Sequence, residues 1–493
     1  MEMLEWRNWQ THWTQNPAPF TGHEGSTPSS STMPRISPSG TIPLGDRRWP
    51  AWTRRAAVGI ALFAPAVAVA QTQGAAPAEP RYTLRHGIGD DMPEWLSLGG
   101  EFRVRVEGRS GLGFSAARSD DYSLWRVRLD IGIQPVDWLK FGFQGQDARA
   151  PGIRDGLPNI GAFSDGFDVR QAYTQLGADD SPVTVTVGRQ LLAYGDQRLV
   201  GALDWANTAR VFDAVKVRIQ GSGSELDIFS ASVVQNDPGR RINQSAEGNN
   251  LHGFYGSFQR VIPHVILEPY VLWQTTPVVT NELNIRGDLD RYTAGVRVWN
   301  DDLGPWDYGA AFVRQWGNMA GAPIEAWGYY AEVGHTLDAS LSPRLFAEYT
   351  FGSGDEDPDD GTVGGFVDLY PTAHRWYGYN DLVGWRNVKN IRLGTELFPS
   401  PKVRLQFDFH SFWLANRRDA LYNVGGRLSV RAPEGGAAET KIGDEVNGTL
   451  AYNPSKVVGI EAVAGYMFPG PFLRANSPGQ GNTFTYLSFI YRF

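Results

Sequence analysis

Two stretches set charged residues against apolar ones in strict alternation. In 101–107, Glu101, Arg103, Arg105 and Glu107 alternate with Phe102, Val104 and Val106. In 125–134, Arg126, Arg128, Asp130, Gly132 and Gln134 alternate with Trp125, Val127, Leu129, Ile131 and Ile133. Successive side chains of an extended chain point to opposite faces. Each stretch is therefore a strand with one apolar face and one charged face. Applied along the chain, the same alternation gathers Arg103, Arg105, Arg126, Arg128, Lys140, Lys216, Arg218, Arg291, Arg297, Arg344, Arg392 and Arg404 on the polar faces. The carboxylates there are Glu101, Glu107, Asp130, Glu268, Glu332, Glu348, Glu396, Asp408 and Glu461. Guanidiniums grip carboxylates bidentately, and a ring of them concentrates anions. They can equally pair with carboxylates on neighbouring strands as an internal network. Pairing is the plainer reading for each arginine. Arg103, Arg105, Arg126 and Arg128, on the first two strands, are the leading candidates for direct contact with an anionic solute.

Other chemistry is sparse. The chain has no Cys, so thiolate metal sites and Cys nucleophiles are excluded. No G-x-S-x-G or H-E-x-x-H occurs. His410 adjoins Ser411, but neighbours on a strand face opposite ways. The reading is not an enzyme. The acidic run 355–360 could hold Ca²⁺, although Pro358 interrupts an EF-hand spacing and a solvated loop is the plainer account. No other cofactor is expected. The formal net charge of −8 is spread along the chain, which argues against a nucleic-acid surface.

The alternation needs a scaffold with two different faces. Mean hydropathy is −0.32, and no run of 18 apolar residues follows residue 71, which disfavours membrane helices. A membrane barrel remains open, because its strands show lipid only every second side chain. Short connectors rich in Gly, Pro, Asn and Asp fall at Pro135–Asp137, Asp179–Pro182, Gly221–Ser224, Ile262–His264, Asp301–Pro305, Asp338–Pro343, Phe398–Pro401 and Asn453–Lys456. Long ones lie between them, at 110–121, 148–166, 191–211, 235–249, 275–289, 317–325, 353–385, 415–443 and 468–482. These connectors predict an all-β chain forming a single antiparallel transmembrane barrel of about 18 strands, with 16 as the alternative. Short turns face the periplasm and long loops the exterior. A barrel of that size leaves an aqueous lumen unless loops fill it. Trp125, Trp138, Tyr173, Trp273, Tyr292, Tyr308, Trp327 and Tyr329 are candidates for aromatic girdles at the two membrane interfaces.

Both ends of the chain carry targeting signals. Arg54 and Arg55, an apolar run and Ala68-Val69-Ala70 form a secretion signal with cleavage before Gln71. Residues 1–32 lack any apolar period and read like translated tRNA sequence, which makes Met33 the expected start. The domains expected are thus 1–32 as an extension, 33–70 as the signal region, 71–95 as a periplasmic segment and 96–493 as the barrel. At the other end, Leu487, Phe489, Tyr491 and Phe493 share one face of a final strand. That ending suits the outer-membrane assembly machinery of a Gram-negative cell. Outer-membrane lipid and lipopolysaccharide are the expected surroundings.

Three stretches resemble the alginate export family. One runs from Val187-Gly188-Arg189-Gln190 through Tyr194–Arg198 to Gly201–Trp205, Phe212 and Asp213. A second, the most specific, is Phe366–His374 with Tyr370 and Pro371, continuing to Gly378, Asp381, Gly384, Trp385 and Asn387. The third is Gly465-Tyr466 with Phe468-Pro469-Gly470. The resemblance implies an 18-stranded monomeric barrel that exports a polyanionic polysaccharide through an arginine-lined constriction. The family's long periplasmic plug loop has no counterpart, since Asn453–Lys456 is a tight turn. That departure favours a more open, porin-like channel. The function expected is a channel for anionic solutes, with a general or substrate-specific diffusion porin, or a structural or adhesive barrel, as alternatives.

Overall fold

The computed structural model describes residues 92–153, 160–300 and 303–493. The leader and start-site readings fall on residues outside these. The described chain is an 18-stranded sheet. In order the strands are β1 (Leu96–Ser110), β2 (Ser119–Val136), β3 (Leu139–Arg149), β4 (Asp165–Leu176), β5 (Val183–Gln190) and β6 (Phe212–Gly221). Then come β7 (Ser224–Gln235), β8 (Gln244–Ile262), β9 (Val265–Thr280), β10 (Arg286–Trp299), β11 (Trp306–Met319) and β12 (Ala322–Thr336). β13 (Arg344–Gly352), β14 (Val388–Ser400) and β15 (Val403–Leu414) follow. A small hairpin, β16 (Leu421–Tyr422) and β17 (Leu428–Val430), stands apart before β18 (Lys441–Tyr452), β19 (Val458–Pro469) and β20 (Asn482–Arg492).

Each barrel strand pairs antiparallel with the next, β15 pairs with β18, and β20 returns to β1. The sheet therefore closes and has no free edge, which answers the hazard of a final aromatic strand. Gly100 and Phe493 exchange backbone hydrogen bonds of 2.8 and 3.1 Å at the seam.

Alternation sorts the residues as their types require. On β2, Trp125, Val127, Leu129, Ile131 and Ile133 are exposed on the outside, while Arg126 and Arg128 are buried inside. An outward apolar belt with an inward charged face is the pattern of a barrel in lipid.

Two expectations about connectors are corrected. The regions 275–289 and 317–325 are mostly strand, with connectors of only 281–285 and 320–321. The last is a two-residue hairpin turn with Ala320 at φ 51° and Gly321 at φ 90°, the left-handed pair that matches strand twist. A third correction concerns Tyr173. The register of β3 against β4 skips a residue between Val169 and Gln171, a bulge that reverses the alternation. Tyr173 thus lies against Gly142 on the inner face, away from any girdle.

Candidate functional site

The site is built where two long loops on one rim fold back into the barrel. Residues 191–211 and 353–387 are stitched together through backbone pairing. Gly201 N–H donates to Tyr370 O (2.9 Å), Tyr370 N–H to Leu199 O (2.9 Å) and Thr372 N–H to Gln197 O (2.8 Å). Only a glycine permits this approach at 201, because a Cβ there would meet Thr372 Oγ1 at 2.1 Å. Gln197, Leu203, Ala209, Leu369, Asp381 and Asn387 all hold positive φ values. Such conformations persist only where the surroundings over-determine them.

Loop 191–211 lies directly on the arginine wall. Arg128 Nη1 is 2.6 Å from Asp204 Oδ1, Arg126 Nη2 is 3.2 Å from Oδ2, and Arg170 Nη2 is 3.5 Å from Oδ1. Arg103 donates to Asp204 O (2.9 Å) and Asn207 Oδ1 (3.3 Å), and Arg105 to Trp205 O (2.8 Å). Strand carboxylates complete the cluster: Glu101 lies 2.5 Å from Arg126, and Glu107 2.5 Å from Arg105. Burial alone would raise the Asp204 carboxyl. The guanidiniums of Arg126, Arg128, Arg170 and Arg103 outweigh it and hold the group well below the usual carboxylate range. The cluster thus grips one loop carboxylate from several sides at once.

Loop 353–387 packs over the first. His374 is fully buried and stacks on Trp205 with centroids 3.9 Å apart and planes 15° apart. The Arg105 guanidinium lies 3.5 Å from the centroid of the same indole. His374 Nδ1 bonds Asp381 Oδ1 at 2.6 Å. Burial lowers the His374 pKa, Asp381 opposes that, and Arg105 and Arg109 reinforce it. Arg198 forks onto buried Glu348 at 2.9 and 2.7 Å while lying over Tyr330 and Trp376 at 3.8 and 4.0 Å. Arg210 and Arg291 flank Asp368, whose carboxyl burial pushes up to about 7. Asn387 donates to the carbonyls of Asn416 and Ala420, and Trp385 Nε1 to Phe351 O. Tyr370 packs edge-on against Phe212, Pro371 O accepts from Arg210, and Gly378 takes φ 85° close against Glu445.

The other strand arginines singled out in the sequence face inward but lie apart from the Asp204 cluster, whereas Asp130 is joined to it through Gln144 and Arg170. Arg344 bonds Asp307 and Glu332, and Arg392 bonds Asp408 and approaches Glu348 at 4.0 Å. Arg404 bonds Glu396 and Gln406. Arg297 bonds Glu268 at 2.7 Å, Arg218 bonds Asp227 at 2.7 Å, and Asp130 accepts from Gln144. Lys140 reaches Asp179 near a short turn. His410 bonds Asn390, while Ser411 turns to Asp444. In the acidic run, Asp355 accepts from the backbone of Asp357 and Gly364, and Asp357 pairs with Arg418. Among the described residues no group of three or more His or acidic side chains is arranged to hold a metal ion. Sequence reasoning missed Arg170, which sits at the β4 bulge and faces inward.

The family described as alginate export matches residues 94–486. The chain belongs to the alginate export family. Its barrel is an outer-membrane channel architecture, and the β18–β19 connector spans only 453–457. Solved structures share the fold. OccK3 (OpdO) of Pseudomonas aeruginosa superposes with TM-score 0.54 at 14% identity, covering 82% of this chain and 97% of that one. The outer membrane protein opdK of Pseudomonas aeruginosa gives 0.54 at 12%, covering 80% and 99%. Acinetobacter baumannii OccAB2 gives 0.55 at 10%, covering 81% and 98%. No curated protein matches the sequence.

Proposed function

We propose that this alginate export family member is an outer-membrane channel for anionic solutes of the polyuronate type. The observation that carries the reading is the convergence of Arg126, Arg128 and Arg170 on the single carboxylate of Asp204, with Arg103 on the adjacent backbone carbonyl. A set of donors built around one carboxylate is equally suited to the carboxylate of a solute. Its other members, Arg105 and the stacked Trp205, supply cationic and flat apolar surface beside it. The periplasmic side carries partly exposed charges, such as Arg218 and Glu225, that keep the approach wet.

A second reading, a general diffusion porin, is favoured by the pairing elsewhere. Arg344 and Arg392 are each matched by two or more carboxylates, so much of the inner wall is electrically balanced. Planar-bilayer recordings on protein purified from outer membranes separate the two. Reversal potentials in a salt gradient, with and without oligouronates, are measured for the natural protein, Arg126→Ala and Arg128→Ala. Anion preference that falls in both variants, with oligouronate block of the natural channel, supports the polyanion channel. Unselective current without block overturns it in favour of the porin.

A further inference from the structure

The outer face of β11–β14 carries an arginine or lysine at two positions. Arg314 on β11 is exposed and directly opposite Trp327 on β12. Lys389 on β14 is half-buried and directly opposite Phe351 on β13, which in turn lies opposite Tyr329. Both alternate with inward neighbours, Val313 and Gln315 in one case and Val388 and Asn390 in the other, all buried. They therefore point to lipid. Their height is set by β13, which ends at Gly352, one residue beyond Phe351 on the long-loop side. They stand at the outer rim of the membrane belt.

Neither cation forms an ion pair among the described residues. Glu325, on the same face opposite Trp316, makes none with Arg314. The contrast is Lys441 on β18, further along the same row, which bonds Asp444 at 2.6 Å and lies 3.9 Å over Trp413. Between Arg314 and Lys389 the rings form a platform. Trp327 and Tyr329 stack at 5.7 Å, Trp327 and Phe351 approach at 4.5 Å, and Tyr329 and Phe351 stack at 5.4 Å. The two cations are three strand spacings apart, roughly 14 Å across the sheet.

A lipid-facing Arg or Lys costs ~2–4 kcal/mol at the bilayer midplane and almost nothing near the interface. At the outer rim such a group is held in place for what lies there. That layer consists of glycolipid with phosphorylated sugar headgroups. We propose that Arg314 and Lys389 form a docking site for one phosphorylated glycolipid of the outer leaflet. The two cations take its phosphates, and the Trp327–Tyr329–Phe351 platform takes its sugar rings and the first methylenes of its chains. A second copy of the barrel is the poorer occupant, because a two-fold contact would bring these uncompensated cations towards their own equivalents.

The test is native mass spectrometry of the full protein, purified from outer membranes and exchanged into nanodiscs that contain diphosphorylated or phosphate-free lipid A. The natural protein should retain one copy of the diphosphorylated lipid. Arg314→Ala/Lys389→Ala should lose about tenfold in occupancy, equivalent to about 1.4 kcal/mol, and the phosphate-free lipid should be retained no better than by that variant. Heat-modifiable migration on gels checks that the variant barrel is closed, and a Lys389→Arg variant should keep the lipid. Equal retention by the double variant, equal retention of phosphate-free lipid, or a dimer mass in place of bound lipid overturns the proposal. The readout is independent of channel selectivity.

Discussion

His374 lies flat on Trp205, ring centroids 3.9 Å apart, and so joins the two loops that fill the upper barrel. The indole is sandwiched between a strand arginine, Arg105, and this loop histidine. Buried stacked pairs are worth about 0.5–1.5 kcal/mol beyond their area. Trp205→Ala removes both layers at once. It should raise open-channel noise and mean conductance in bilayer recordings, while the closed barrel persists on gels. Unchanged current would mean that the backbone pairing of 197–201 with 370–372 suffices to hold the loops.

The same contact responds to pH. Burial lowers the His374 pKa below 6.5, with Asp381 opposing and Arg105 and Arg109 reinforcing; Trp205, Tyr379 and Phe484 pack around the ring without compensating charge. The neutral form therefore belongs to the packed loop. Its contribution is complete above pH 6.5 and is lost as pH falls from there through the depressed pKa. Channel opening should increase as pH drops below 6.5, and His374→Gln should flatten that dependence. An identical pH profile in His374→Gln would place the titration elsewhere.

Arg198 and Glu348 offer a stability test. Both are buried, and the pair is bidentate at 2.9 and 2.7 Å. Removing one partner strands a buried charge at a cost of about 3–5 kcal/mol, whereas replacing both by apolar residues costs less. Arg198→Leu should lower the urea unfolding midpoint in lipid vesicles, and Arg198→Leu/Glu348→Leu should recover part of it. No recovery in the double variant would point to the other contacts of Arg198, its ion pair with Asp196 at 2.9 Å and its stacking on Tyr330 and Trp376, as the main contribution.

The barrel was legible in the sequence because its signal is local. Period-two alternation fixes which side of β2 meets lipid, and Gly, Pro, Asn and Asp mark the turns between strands. Asp288 misled, since an Asp can end a strand or start a loop, and here it lies inside β10. A one-residue bulge was enough to turn Tyr173 inward. The filling of the lumen was less legible. Asp204 and Trp205 stood out only through family resemblance, because their partners on β1, β2 and β4 are far away in the chain. Nothing in local spacing reveals that a loop aspartate returns to arginines some 80 residues upstream.

Asp204 makes the strongest prediction for the proposed site. If its carboxylate stands where a solute carboxylate would bind, then Asp204→Asn vacates charge from a preformed set of donors. The variant should be less stable, because Arg126 and Arg128 lose their loop counter-ion. It should also be more anion-selective than the natural channel. Ligand linkage adds a sharper criterion: a solute that binds the folded state stabilises it in proportion to its occupancy. Oligouronate should raise the unfolding temperature of Asp204→Asn well beyond any effect on the natural protein, where Asp204 competes, and a neutral oligosaccharide of equal length should not. If oligouronate stabilises both proteins equally, Asp204 is a strut that fixes loop 191–211 to the wall, and the solute path lies elsewhere in the barrel.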